Sequence, residues 1–190
     1  TDLTSTYAYE KRVLKLLQWG EPTRPWRLKC PSHLLWLDAL DRAFPDARYV
    51  MTHPDPTDVM VSVADLYCEV AGQFSEAVDP VYLGALNVDH WSVAMDRLLA
   101  FRDGPAGERF FDIDFRAMQR DPIGAVHRLY AWLGEDVRDD FDAGMRRWWD
   151  EHAAHREDNV HPDASAFGLD LDDVRRRFAG YTARTATWTG

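Results

Sequence analysis

The stretch Ala47-Arg48-Tyr49-Val50-Met51-Thr52-His53-Pro54-Asp55-Pro56-Thr57-Asp58-Val59-Met60-Val61-Ser62 decides the fold class. Pro45-Asp46 turns the chain into it, and residues 47–52 read as a short strand. A polar loop follows, and a helix is predicted from about Thr57 to Val70. In open α/β sheets, ligands bind outside the carboxyl ends of the strands, where such a loop lies. This segment is therefore the first place to look for chemistry.

Upstream, Trp26-Arg27-Leu28-Lys29-Cys30 reads as another short strand, stopped by Pro31. Ser32 then suits an N-cap for a helix over residues 33–44, with Leu34, Leu37 and Leu40 facing inward. Lys29 and His33 bracket the end of that strand. Before it, Tyr9, Val13, Leu16 and Leu17 form a helical stripe ending near Gly20. Downstream, a helix is predicted over residues 80–101, with Leu83, Leu86, Val93 and Leu98 buried. Residues 109–113 read as a third strand. Asp121-Pro122 places Asp at an N-cap and Pro at the first helical position of a helix closed by Gly134. Further helices are expected over residues 137–154 and 171–183. Strands alternating with helices argue for an α/β protein with a parallel sheet. Three strands are few for such a sheet, so the fold reads as incomplete.

Composition narrows the function classes. Twenty-two basic and 32 acidic residues leave a net charge of −10, which disfavours a non-specific nucleic-acid binder. No apolar run has a spanning length, and residues 1–20 lack a signal-peptide core, so no membrane span is expected. Cys30 and Cys68 lack metal-knuckle spacing and read as thiols of a reducing, cytoplasmic compartment. With 19 Arg against 3 Lys, each lysine merits inspection. No linker, repeat or low-complexity segment divides residues 1–190, which read as a single domain.

Five blocks, in order and at compatible spacing, resemble the sulfotransferase superfamily that uses 3′-phosphoadenosine 5′-phosphosulfate (PAPS), in its broad bacterial branch. They are Trp26-Arg27-Leu28-Lys29-Cys30-Pro31-Ser32-His33, then Phe44-Pro45-Asp46-Ala47, then Thr52-His53-Pro54-Asp55-Pro56 with Ser62. The last two are Phe111-Asp112-Ile113-Asp114-Phe115 with Asp121-Pro122 and Trp132-Leu133-Gly134, and Phe167-Gly168-Leu169-Asp170 with Phe178 and Tyr181. The resemblance covers about residues 7–181, the C-terminal half of such an enzyme. It implies an α/β, P-loop-type sulfotransferase fold, helix-rich and with a parallel sheet. It also implies PAPS as sulfuryl donor and a small-molecule hydroxyl acceptor. Catalytic roles fall to Lys29, as the cation near the bridging oxygen, and His33, as the group taking the acceptor proton. Cofactor contacts fall to Ser62, His53 and Arg156.

Two departures bear on activity. Pro54 stands where the family has an arginine that, with the serine at Ser62, holds the 3′-phosphate; proline has neither cation nor N–H. The family's Gly-rich phosphosulfate loop has no counterpart before Trp26. In the tail, His161-Pro162-Asp163-Ala164 replaces a pattern with another arginine. The isolated chain is therefore expected to be inactive. A truncation, an expressed fragment and a degenerate relative all remain open, as do a homo-oligomer and a missing N-terminal segment. The alternative function is a catalytically silent binding or subunit module of the same fold.

Other constellations read as structural. His152, His155 and His161 lack a further cysteine or carboxylate at ligand spacing, so no metal site is assigned. Trp26, Trp36, Trp91, Trp132, Trp148 and Trp149 are expected in the core rather than in a base-stacking platform. Asp112 and Asp114 alternate on one strand and offer no second acid for a glycosidase pair.

Overall fold

The computed structural model describes residues 2–152 and 162–189. Among them the α-helices are α1 Thr4–Leu17, α2 Leu37–Ala43, α3 Pro56–Gly72, α4 Pro80–Arg102, α5 Phe115–Arg120, α6 Pro122–Leu133, α7 Asp139–Glu151, α8 Leu171–Arg177 and α9 Ala179–Trp188. The strands are β1 Tyr49–His53 and β2 Phe110–Asp114, which pair in parallel. The chain divides into two compact units, residues 1–49 with 90–110 and residues 50–89 with 111–190.

In the first unit, α1 packs on α2. The buried face of α1 carries Tyr7 and Leu14, two turns apart, while Leu35, Leu37 and Ala39 are buried in and just before α2. The predicted phase of this helix needs correction, because Tyr9, Leu16 and Leu17 lie on the exposed side. Lys11 Nζ donates to Ala43 O at 2.6 Å and lies 5.3 Å from the Phe44 ring centroid, which ties the middle of α1 to the end of α2. The Tyr49 ring stacks on Phe110 at 4.8 Å, with Phe101 edge-on to both.

The second unit is organised by Asp-Pro helix starts. Asp55 accepts from Thr57 N at 2.9 Å and Asp121 from Gly124 N at 2.9 Å, each before a proline at the first helical position. Gly134, where the sequence ends the helix, closes α6 in the left-handed conformation at φ 73°. Val61 and Ala64 of α3 pack on Phe167, with Cys68, Leu169 and Leu171 around them. Gly84 lets α4 approach the Phe167 backbone so closely that a Cβ would sit 2.2 Å from its carbonyl oxygen.

Several expectations are corrected. Residues 26–30 are exposed and form no strand; an extended run becomes a strand only when another backbone takes its hydrogen bonds, and the described residues supply none. The helix expected over residues 33–44 is a 3₁₀ turn, Pro31–Leu35, followed by α2, since Pro31 rather than Ser32 occupies the start. The last helix is two helices, broken at Phe178. On α4 the buried stripe is Asn87, Val88, Trp91, Ala94 and Leu98, while Leu86 and Val93 are exposed. Trp26 and Trp148 are exposed as well, and of the six tryptophans expected inside only Trp91 is fully buried among the described residues.

Candidate functional site

Two clusters hold the predicted site residues, one in each unit. In the first, Lys29 lies on the exposed extended segment and His33 within the 3₁₀ turn that Pro31 opens. The proline sets the backbone angle that starts the turn. His33 is half-buried, and its Nδ1 lies 2.8 Å from the Tyr7 hydroxyl, with the rings 5.5 Å apart. Burial pushes the Tyr7 phenol up to about 12, with the Glu10 carboxylate adding to the effect. The phenol is therefore neutral across the ordinary pH range.

In the second cluster, β1 ends at His53 and the loop Pro54-Asp55 leads into α3. His53 is buried between two partners. Its Nε2 lies 2.7 Å from Asp112 Oδ1 and its Nδ1 lies 2.8 Å from the Tyr181 hydroxyl, with the Trp188 ring alongside. An ionised carboxylate only accepts, so Nε2–H donates to Asp112, and Nδ1 pairs with the Tyr181 hydroxyl. Both ring nitrogens are thus engaged, and the ring holds β1, β2 and α9 together. Asp55 caps α3 and also accepts from Thr57 Oγ1 at 2.6 Å. The Thr57 hydroxyl and amide hold its carboxyl below the usual range, with burial opposing and the Arg116 and Arg175 guanidiniums assisting. Arg116 and Arg175 are thus cations that act on this turn, where Pro54 supplies none. Ser62 lies farther along α3, exposed, with Met60, Val61 and Ala64 turned inward. Arg156, His155 and His161 lie outside the described residues.

Sequence reading placed Lys29, His33, His53 and Ser62 but missed what holds them. Tyr7 was assigned no part because Tyr9 took its place in the helical stripe. Asp112 and Tyr181 stood in the motif blocks without a role. Arg116 and Arg175 carried no local signal, since their effect on Asp55 arises only from folding.

The fold and the strand–loop–helix turn define a class, and comparison with known proteins gives it. The family model described as the sulfotransferase family matches residues 2–140, and the chain belongs to that family. A crystal structure of the sulfotransferase STF9 from Mycobacterium avium is similar at 33% identity and TM-score 0.83, covering 97% of this chain and 47% of that one. The sulfotransferase STF1 from Mycobacterium tuberculosis is similar at 28% identity and TM-score 0.76, covering 95% of this chain and 46% of that one. The chain thus spans about half the length of these solved relatives. No curated protein sequence matches it.

Proposed function

We propose that the chain forms the acceptor-side and 3′-phosphate-side parts of a sulfuryl-transfer site, with PAPS as donor and a small-molecule hydroxyl as acceptor. The similarity of 97% of the chain to a sulfotransferase structure is the observation that carries this reading. In such a transfer the acceptor oxygen attacks sulfur in line while the sulfur–oxygen bond to phosphate breaks. The donor supplies an activated sulfuryl group. The protein must stabilise charge on the departing phosphate oxygen and orient the acceptor. Lys29 is the cation for the departing oxygen, and His33 is the imidazole that meets the reacting group.

The residues fit the donor in part. Ser62 offers an exposed hydroxyl at the spacing the 3′-phosphate contact requires. His53, with both ring nitrogens engaged, contributes by fixing the strand end that begins the loop. Arg156 completes the proposed cofactor set. Pro54 does not fit, because it removes a charge-assisted contact. For that reason the 190 residues alone are expected to bind 3′-phosphoadenosine 5′-phosphate weakly and to transfer no sulfuryl group. Pro54 equally favours a second reading, a catalytically silent binding or subunit module of this fold. No helix among the described residues is long and apolar enough to cross a membrane, and the free thiols of Cys30 and Cys68 suit a reducing, cytoplasmic setting.

Calorimetric titration of the wild type and Pro54→Arg against 3′-phosphoadenosine 5′-phosphate and adenosine 5′-phosphate tests the reading. A charge-assisted hydrogen bond contributes about 1.5–3 kcal/mol, or roughly 10–200-fold in affinity. The gain is expected for the 3′-phosphorylated ligand alone. Equal gains for both ligands would reduce the arginine to added charge. No binding by either variant would remove the nucleotide site and leave the silent module.

A further inference from the structure

The Tyr7–His33 pair bears on which nitrogen of the imidazole carries the proton. Tyr7 is 3% exposed, so its O–H is largely withdrawn from bulk water and is best satisfied by an acceptor inside the protein. His33 Nδ1, at 2.8 Å, is that acceptor, and no other described group bonds the phenol. With Nδ1 accepting, the proton of the neutral ring resides on Nε2. No described side chain takes that N–H. A general base needs a lone pair at that position, which this tautomer does not offer.

We infer that Tyr7 is a positioning residue that holds neutral His33 in its Nε2–H tautomer, so that the ring meets an oxyanion as a hydrogen-bond donor rather than taking the acceptor proton. The tautomer is argued from the Tyr7–His33 contact and the burial of Tyr7, without the sulfotransferase reading. Identifying the oxyanion as a sulfuryl or phosphate oxygen rests on the sulfotransferase reading. The phenol's displacement to about 12 keeps Tyr7 protonated across the ordinary pH range. Replacing Tyr7 by Phe keeps the buried ring and removes only the donor.

Long-range proton–nitrogen NMR spectra of the full chain labelled with ¹⁵N-histidine read the tautomer directly. In the wild type, the neutral His33 is expected to show a protonated Nε2 and an unprotonated Nδ1. In Tyr7→Phe, the Nδ1–H form is expected to appear. Titration with inorganic sulfate, against chloride at equal ionic strength, is expected to move the wild-type Nε2–H resonance saturably and to respond to sulfate alone. Sulfate affinity is expected to fall roughly fivefold in Tyr7→Phe, the loss of one oriented hydrogen bond. A wild-type ring protonated on Nδ1 would overturn the inference, as would an Nε2–H that sulfate does not move. If Tyr7→Phe does not fold, the wild-type tautomer and its sulfate response still decide. Neither readout uses nucleotide, so failure of the sulfotransferase reading appears separately, as absent preference for the 3′-phosphorylated ligand in calorimetry.

Discussion

Replacing Asp112 by Ala removes a carboxylate that is 9% exposed and 2.7 Å from His53 Nε2, whose own side chain is 4% exposed. A hydrogen bond to a charged group contributes about 1.5–3 kcal/mol, and the stranded Nε2–H loses its hydration as well. Breaking one side of a buried pair reaches about 3–5 kcal/mol when both members carry full charge. The ring keeps its second partner, the Tyr181 hydroxyl, so the cost falls below that ceiling and about 2–4 kcal/mol is expected. At about 2–4 °C per kcal/mol for a chain of this size, the melting temperature should drop by about 4–16 °C. Asp112→Asn is the control, because its amide oxygen still accepts from Nε2–H; it should cost about 1 kcal/mol. Urea unfolding followed by circular dichroism and tryptophan fluorescence, with unchanged slope, measures both. An Ala variant within about 0.5 kcal/mol of wild type, the ordinary range for surface changes, would refute the reasoning. So would an Asn variant as costly as Ala.

Gly84→Ala forces a Cβ to 2.2 Å from the Phe167 carbonyl oxygen, a backbone atom that yields little; thermal denaturation should show a loss of about 1–3 kcal/mol. Tyr7 supplies a pH test with a definite sign. Its hydroxyl ionises near 10 in the unfolded chain and about 12 in the fold, so its contribution is complete below pH 10 and declines from 10 to 12. Tyr7→Phe should flatten that part of the stability-against-pH curve, and an unchanged slope would contradict the assignment.

The two paired strands were legible because each is a short run of β-favouring residues close to turn signals, and the Asp-Pro caps because their chemistry is local. What failed was pairing and phase. In α1 both Tyr7/Leu14 and Tyr9/Leu16 sit seven residues apart, so the sequence pattern contains two equivalent stripes. Only the surface of α2 decides between them. Residues 26–30 have a strand's composition, yet strand formation needs a second backbone that no local pattern supplies. The motif blocks marked His33 and His53, but their partners lie 26, 59 and 128 residues away, and hydrogen bonds over such separations leave no periodic trace.

The reach of His53 also sets an order of events during synthesis. Its bond to Asp112 closes 59 residues of chain, and its bond to Tyr181 closes 128. The longer closure costs roughly 0.7 kcal/mol more in chain entropy, a small penalty beside the wait it imposes. A ribosome adding about 5–20 residues per second needs roughly 3–14 s to travel from the first partner to the second. For that interval His53 has Asp112 but lacks Tyr181, whose hydroxyl joins only once residue 181 has been made. Nascent chains stalled shortly before residue 181 would thus carry a half-anchored loop, more open to proteolysis at Pro54-Asp55 than the released protein.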